Sequence, residues 1–339
     1  MDRMLGAVFE GEGRLSLKEV PIPRRKDPDD VLLGVKAASI CGTDVHILSV
    51  PPGHPATPNS ILGHEYVAEV LETGPAAENL HIGDQVVIDP NITCGRCRYC
   101  QAGMPNMCEN MTTLGIFRDG GFAAYNVAPV KALHKIDRSV PYEIAAFAEP
   151  LSCVVNGTEK VKAQPGEAVV VLGAGPIGLL FTQFFHAAGV RKLIVAEVSP
   201  FRAGYAQRSG ATRVVNPRQE SLKDVVLAET GIGADIVVDA VGSLLPDALS
   251  AVRRGGRVLL FGMNQHATPA VRQFDITRHE VSVLGTYIAR HTFPKAVRIL
   301  ESGVLGLETL ITHRLPLARI EEGFKAMREG TAIKVMVMP

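Results

Sequence analysis

The run Ala168-Val-Val-Val-Leu172 passes directly into Gly173-Ala-Gly175-Pro176-Ile177-Gly178 and then into Leu-Leu-Phe-Thr-Gln-Phe-Phe-His-Ala-Ala-Gly. Five apolar residues in a row read as a strand buried on both faces, and the apolar spacing that follows is helical. A G-x-G-x-x-G loop alone says little, but between a strand and a helix it is specific for dinucleotide binding. Gly173 makes the tight turn, Gly175 lets the backbone approach a pyrophosphate, and Gly178 allows close helix–strand packing. Pro176 and Ile177 open the helix whose free N–H groups face the phosphates. The next strand, Lys192–Ala196, ends at Glu197, 19 residues past Gly178. A carboxylate there accepts hydrogen bonds from an adenosine ribose diol and repels a 2′-phosphate, which favours NAD over NADP. A solvated strand end is the plain alternative. Arg202, five residues on, is placed either to line the adenosine pocket or to soften that preference.

Outward from this loop the strand and helix patterns alternate. Strands are expected at Lys192–Ala196, Arg213–Val215, Asp235–Asp239, Arg257–Phe261 and Val281–Leu284. With Ala168–Leu172 they make a doubly wound parallel sheet, an α/β fold. Residues 1 to about 145 differ: short apolar runs at Val31–Val35, Tyr66–Leu71, Gln85–Ile88 and Phe122–Val127 are separated by Gly, Pro, Asp and Asn, which is strand-and-turn chemistry. Val50 to Asn59 is Pro-rich and reads as a surface loop. Two helices, Pro294–Ser302 and one near Arg319–Arg328, lead to a last strand at Ile333–Met338. Because the nucleotide sheet already has six strands, that strand is assigned to the first domain. The expected division is therefore 1–150 with 287–339 as one domain and 151–286 as the nucleotide domain.

Composition narrows the function. The chain has 339 residues, 46% hydrophobic and 21% charged, ordinary for a globular protein of two domains. Lys+Arg and Asp+Glu are both 35, so no charge excess points to nucleic acid or an anionic membrane. The longest apolar run, Ala168 to Phe181, is too short and too broken by glycine and Pro176 to span a bilayer. No signal-peptide core precedes the first strand. These features point to a cytoplasmic enzyme acting on a small molecule.

Four of six cysteines, Cys94, Cys97, Cys100 and Cys108, fall within residues 91–108 as C-x2-C-x2-C-x7-C. Thiolates so spaced close a tetrahedral shell around zinc, and four ligands leave no open position, so this zinc is structural. Disulfides fit poorly with a reducing compartment. A ferredoxin run would place three residues and a Cys-Pro after the third cysteine, not seven and then Glu109. Arg96 and Arg98 alone do not make a nucleic-acid module. A second ligand set is dispersed: Ile40-Cys41-Gly-Thr43-Asp44-Val-His46, Gly63-His64-Glu65, and Glu149 in an apolar setting where a carboxylate needs a partner. Cys, His and Glu leave one coordination position open, as catalytic zinc requires. Cys153 reads as a core residue.

With these motifs, Gly83-Asp84-x-Val86 and Glu149-Pro150-Leu151, the chain resembles the zinc-dependent medium-chain dehydrogenase/reductase superfamily over its whole length, and within it the sorbitol/polyol and threonine dehydrogenase branch. The resemblance implies a GroES-like β-rich domain from both chain ends and a Rossmann domain between them. It implies catalytic zinc on Cys41 and His64, with Glu65 and Glu149 as acidic partners of which one ligates directly. Thr43 and His46 sit where relatives relay the alcohol proton. Gly262, Met263 and Thr286 sit where backbone meets the nicotinamide. The implied reaction is oxidation of a secondary alcohol of a polyol, cyclitol or amino-cyclitol by NAD, in a homodimer or homotetramer. Small diols, simple secondary alcohols and L-threonine are the alternative substrates, and a non-catalytic NAD- and zinc-binding protein is the alternative class. Relatives acting on sorbitol carry an Arg-Tyr pair where Ile288-Ala289 stands, with Arg290 and His291 as the nearest substitutes. Threonine dehydrogenases carry Asp-Pro-Phe-Gly-Asn in place of Glu149-Pro-Leu-Ser-Cys.

Overall fold

The computed structural model describes residues 2–339 and divides them into two compact units. One comprises Cys153–Ile288 with Val304–Leu310, the other the chain up to Ser152 with Ala289–Gly303 and Ile311–Pro339. The boundaries expected at 150/151 and 286/287 thus fall two residues later. Val304–Leu310, expected with the chain-terminal domain, clusters with the nucleotide unit. Its physical reason is local: Gln183 Nε2, on helix Pro176–Ala187, donates to Gly306 O at 3.1 Å, and the 3-10 turn Leu307–Leu310 buries both of its leucines.

The nucleotide unit is built on a six-stranded parallel sheet. Across the sheet the strands run Arg213–Val215, Lys192–Ala196, Ala168–Leu172, Ala234–Asp239, Val252–Leu260 and Ser282–Gly285. Chain order reverses beside Ala168–Leu172, so this is the doubly wound arrangement with its switch point at the glycine-loop strand. Ala168–Leu172 is buried along its length, as a strand covered on both faces must be. Its core joins Val170, Leu172, Ile194, Val215, Val237 and Val258.

The other unit is mostly antiparallel β. Its larger sheet pairs Asp30–Ser39 with Glu65–Glu72 on one side and with Lys334–Met338 on the other. The last strand therefore returns beside the third, as the strand count of the nucleotide sheet required. A smaller sheet packs Arg14–Pro21, Arg3–Gly11 and Ser60–Ile61 edge to edge. Phe122, Leu33, Ile40, Tyr66 and Phe324 fill the core beneath. Among the described residues, no helix is long and apolar enough to cross a membrane.

Candidate active site

Cys41 caps the N-terminus of helix Gly42–Ile47. Asp44, in its first turn, reaches back so that Oδ2 accepts the Cys41 N–H at 2.9 Å, which fixes where the thiol sits. The other Asp44 oxygen lies 3.5 Å from His64 Nδ1. Among the described residues, both atoms are buried without a further hydrogen-bond partner. His64 follows Gly63, whose φ of +93° and contact with the Phe122 ring (2.7 Å from where a Cβ would be) admit only glycine. Glu65 opens the strand Glu65–Glu72 directly opposite Ser39. The result is convergence: a Cys41 sulfur, a His64 ring nitrogen and a Glu65 carboxylate oxygen all lie within 4.8 Å of one another.

Glu149 starts the helix Ala148–Val161, is buried, and lies outside that threesome, although its charge acts on Lys334 beside it. Thr43 and His46, three apart on the short helix, share a face, Thr43 half-buried and His46 exposed.

The electrostatics fit a cation. Burial raises the Cys41 thiol pKa, and the Glu65 carboxylate raises it further. Burial alone would depress His64, but Asp44 and Cys41 overrule it and lift the imidazole well above its ordinary value. Both shifts reflect negative charge gathered around buried groups, which a soft dication would neutralise. A carboxylate behind the histidine is the usual support of a metal-binding imidazole.

Two partners of this cluster carried no sequence signal. Lys334, on the last strand, is 2% exposed and donates to Glu65 Oε2, as does Ser39 Oγ. Burial pushes Glu65 up and Lys334 down, but each charge reverses the other's shift, leaving the carboxylate below and the ammonium above their ordinary ranges. Asp44 stood inside a quoted motif, but its place behind His64 emerges only from the fold.

Cys94, Cys97, Cys100 and Cys108 also bring their sulfurs within 4.8 Å of one another as free cysteines. Gly95 and Gly103 have φ of +71° and +70°, which lets the loop fold round the sulfurs. Backbone N–H groups point at them: Cys94 N to Cys108 Sγ at 3.3 Å and Cys97 N to Cys94 Sγ at 3.4 Å. Backbone donors from Arg96 and Cys97 hold the Cys94 thiol down at about 6, so it is a thiolate at neutral pH. Burial pushes Cys100 up to about 12. Arg290, the nearest substitute for the Arg-Tyr pair, donates Nε to Gly103 O at 2.9 Å and so braces this lobe.

In the nucleotide unit, Gly173 has φ +92°, a Cβ at Gly178 would lie 1.9 Å from Gly173 O, and a Cβ at Gly175 would meet nothing within 4 Å. The open space at Gly175 is what a bound pyrophosphate needs. Glu197 is buried, with Oε2 accepting from Ala174 N and Oε1 from Ser199 N, both at 2.8 Å. Each oxygen keeps a lone pair for a ribose hydroxyl. Arg202 N–H bonds Ser199 Oγ at 3.4 Å in the next helix. Gly262 N donates to Asp239 O at 2.9 Å, Met263 is 69% exposed, and Thr286 N donates to Leu260 O at 3.1 Å. All follow carboxyl ends of sheet strands, where doubly wound folds bind ligands. Asn156 Nδ2, unremarked in the sequence, reaches Thr286 Oγ1 and the carbonyls of Tyr287 and Ile288.

Residues 27–138 match the family described as alcohol dehydrogenase GroES-like domain, and residues 176–302 the one described as zinc-binding dehydrogenase. An L-threonine 3-dehydrogenase of Caldanaerobacter subterraneus subsp. tengcongensis is 33% identical over the full length of both chains. A D-altritol 5-dehydrogenase of Agrobacterium fabrum is 35% identical over 92% of each. A zinc-binding dehydrogenase from Sinorhizobium meliloti 1021, solved bound to NADP, superposes with a TM-score of 0.94 at 33% identity over the whole of both chains. The Rossmann sheet, the GroES-like unit and the Cys-His-Glu cluster together define a zinc-dependent alcohol oxidoreductase acting on CH–OH. The chain belongs to the zinc-dependent medium-chain dehydrogenase/reductase superfamily, in its polyol and threonine dehydrogenase branch.

Proposed function

We propose that the chain oxidises a secondary alcohol of a polyol, cyclitol or amino-cyclitol to a ketone, with NAD as hydride acceptor. The convergence of Cys41, His64 and Glu65 within 4.8 Å carries this reading. These three would hold the catalytic zinc, with Glu149 as the further acidic partner, and Cys94, Cys97, Cys100 and Cys108 the structural one. Bound at Cys41, His64 and Glu65, zinc supplies Lewis acidity that lowers an alcohol's hydroxyl pKa by several units. NAD supplies the acceptor for the hydride.

The chain's own groups do the rest. Asp44 orients His64 and balances its charge. Thr43, half-buried, accepts the hydroxyl proton as it gives up its own, and His46, exposed on the same helix face, takes up the released proton and hands it to water. Gly173, Gly175, Pro176, Ile177 and Gly178 cradle the pyrophosphate, and Glu197 accepts from the ribose. Arg202 lines the adenosine side, and the backbone of Gly262, Met263 and Thr286 meets the nicotinamide. The preference for NAD is supported by the buried Glu197 carboxylate, which meets a 2′-phosphate with like charge.

The D-altritol relative favours polyols, and the L-threonine relatives keep a second reading, a 2-amino-3-hydroxy acid as substrate. Initial rates with NAD and NADP over a panel of polyols, cyclitols, diols and L-threonine test both. NADH formation fastest on a polyol or cyclitol is expected, and turnover confined to L-threonine contradicts it.

We also infer a homodimer or homotetramer in the cytoplasm. Among the described residues the edge strand Ser282–Gly285 has a side with no strand partner, and Phe274 is 58% exposed. Six free cysteines suit a reducing compartment.

A further inference from the structure

Lys334 is an unusual residue to find where it is. Ammonium groups are almost never fully buried unless paired. This one is 2% exposed, at the start of the last strand, 269 positions from the carboxylate it meets. Register explains the meeting. Ser39 pairs with Glu65 on one side and with Met336 on the other, and Lys334 is two residues from Met336 on the same strand face. The Phe147 ring, 5.7 Å from Nζ, lies against the ammonium. Lys334 and Ser39 both donate to the same oxygen, Oε2 of Glu65.

Resting on the assignment of Cys41, His64 and Glu65 as metal ligands, we propose that Lys334 and Ser39 are positioning residues that restrict Glu65 to one-oxygen coordination. A carboxylate oxygen has two lone pairs. Here both lone pairs of Oε2 are taken, one by a hydroxyl and one by an ammonium, so Oε1 alone is available to a cation. A carboxylate free to swing binds through both oxygens and fills the position that a substrate oxygen requires. The pair thereby keeps that position vacant. Lys334 also offsets the extra negative charge of Glu149, which acts on it from beside the cluster. Of the groups facing Lys334, Glu65, Cys41 and Glu149 are all acidic.

The test compares the wild-type holoenzyme with Lys334→Met, Lys334→Arg and Ser39→Ala, with cobalt exchanged into the Cys41 site and zinc left in the four-cysteine lobe. Cobalt's visible absorption weakens as coordination rises from four to five. Lys334→Met is expected to keep its metal, lose absorption intensity and lose about 10- to 100-fold in kcat/KM. Lys334→Arg should restore both. Ser39→Ala, which opens one lone pair without burying a charge, should shift the spectrum in the same direction by less. Should Lys334→Met fail to fold, Ser39→Ala decides. Unchanged absorption and turnover in the folded variants overturn the proposal alone. A wild-type enzyme that takes no metal at Cys41 overturns the ligand assignment and the proposal with it.

Discussion

Gly175 and Gly178 stand three residues apart in one loop and answer to different constraints. A Cβ at Gly178 would meet Gly173 O at 1.9 Å, whereas at Gly175 it would meet nothing within 4 Å beyond its chain neighbours. Gly178→Ala should therefore cost stability, about 1–3 kcal/mol by overpacking, read as a lower Tm. Gly175→Val should leave Tm within a degree or two and abolish NAD binding measured by fluorescence titration. Equal stability loss in both would deny that the space beside Gly175 belongs to a ligand. These glycines were legible in the sequence because turn chemistry is local. So was the gathering of Cys41 with His64 and of the four lobe cysteines with one another, since Cys and His are rare types and stand here in recognisable spacing. Lys334 was not legible. It reads as the polar start of an apolar strand, and its partner is set by register between three strands distant in the chain. Cys41→Ala should remove turnover and leave NAD affinity nearly intact, because the glycine loop lies in a separate compact unit. Loss of both to the same degree would contradict that division of labour.

The elements of the nucleotide unit were the most predictable, because strands buried on both faces are continuous apolar runs. Ala168–Leu172, Lys192–Ala196 and Arg213–Val215 fall on their expected bounds. The strand expected to begin at Arg257 begins at Val252, since Arg253–Gly256 is polar and glycine-rich and carried no apolar signal. Between elements the outcome is less legible. Asp89 follows strand Gln85–Ile88, and burial raises its carboxyl to about 6 from 3.8. Its folded pKa lies above the unfolded one. From about pH 4 to 6 the folded state holds the extra proton, so stability falls as pH rises through that window and stays lower above it. Each pKa unit is worth about 1.4 kcal/mol. Asp89→Asn keeps an acceptor for the Asn91 N–H, which Oδ1 receives at 3.1 Å. Its Tm should exceed the wild type's at pH 8 by several degrees, and the gap should narrow toward pH 5 in thermal melts. A gap independent of pH would show that the charge on Asp89 is not its source.

At the scale of the whole molecule, the chain's two cysteine-bearing clusters set the stoichiometry. Both gather ligand atoms within 4.8 Å, but one is made wholly of sulfur and the other mixes sulfur, nitrogen and oxygen. Four thiolates would close a shell round zinc, whereas three ligands such as Cys41, His64 and Glu65 would leave a position for substrate. Cys108→Ser should therefore lower stability and loosen residues 91–108 while sparing the Cys41 site. Limited proteolysis should find that segment cut first, and unaltered resistance would deny the lobe its metal. Reading the chain in order could place each cluster but not choose between Glu65 and Glu149, because that choice depends on which carboxylate the folded sheet brings to Cys41. Metal analysis of purified wild type and Cys41→Ala tests the account most directly. Two zinc per chain falling to one is the predicted result. One zinc per chain in both proteins would contradict it, leaving the lobe as the sole metal site and Cys41, His64 and Glu65 without the ion on which the proposed chemistry depends.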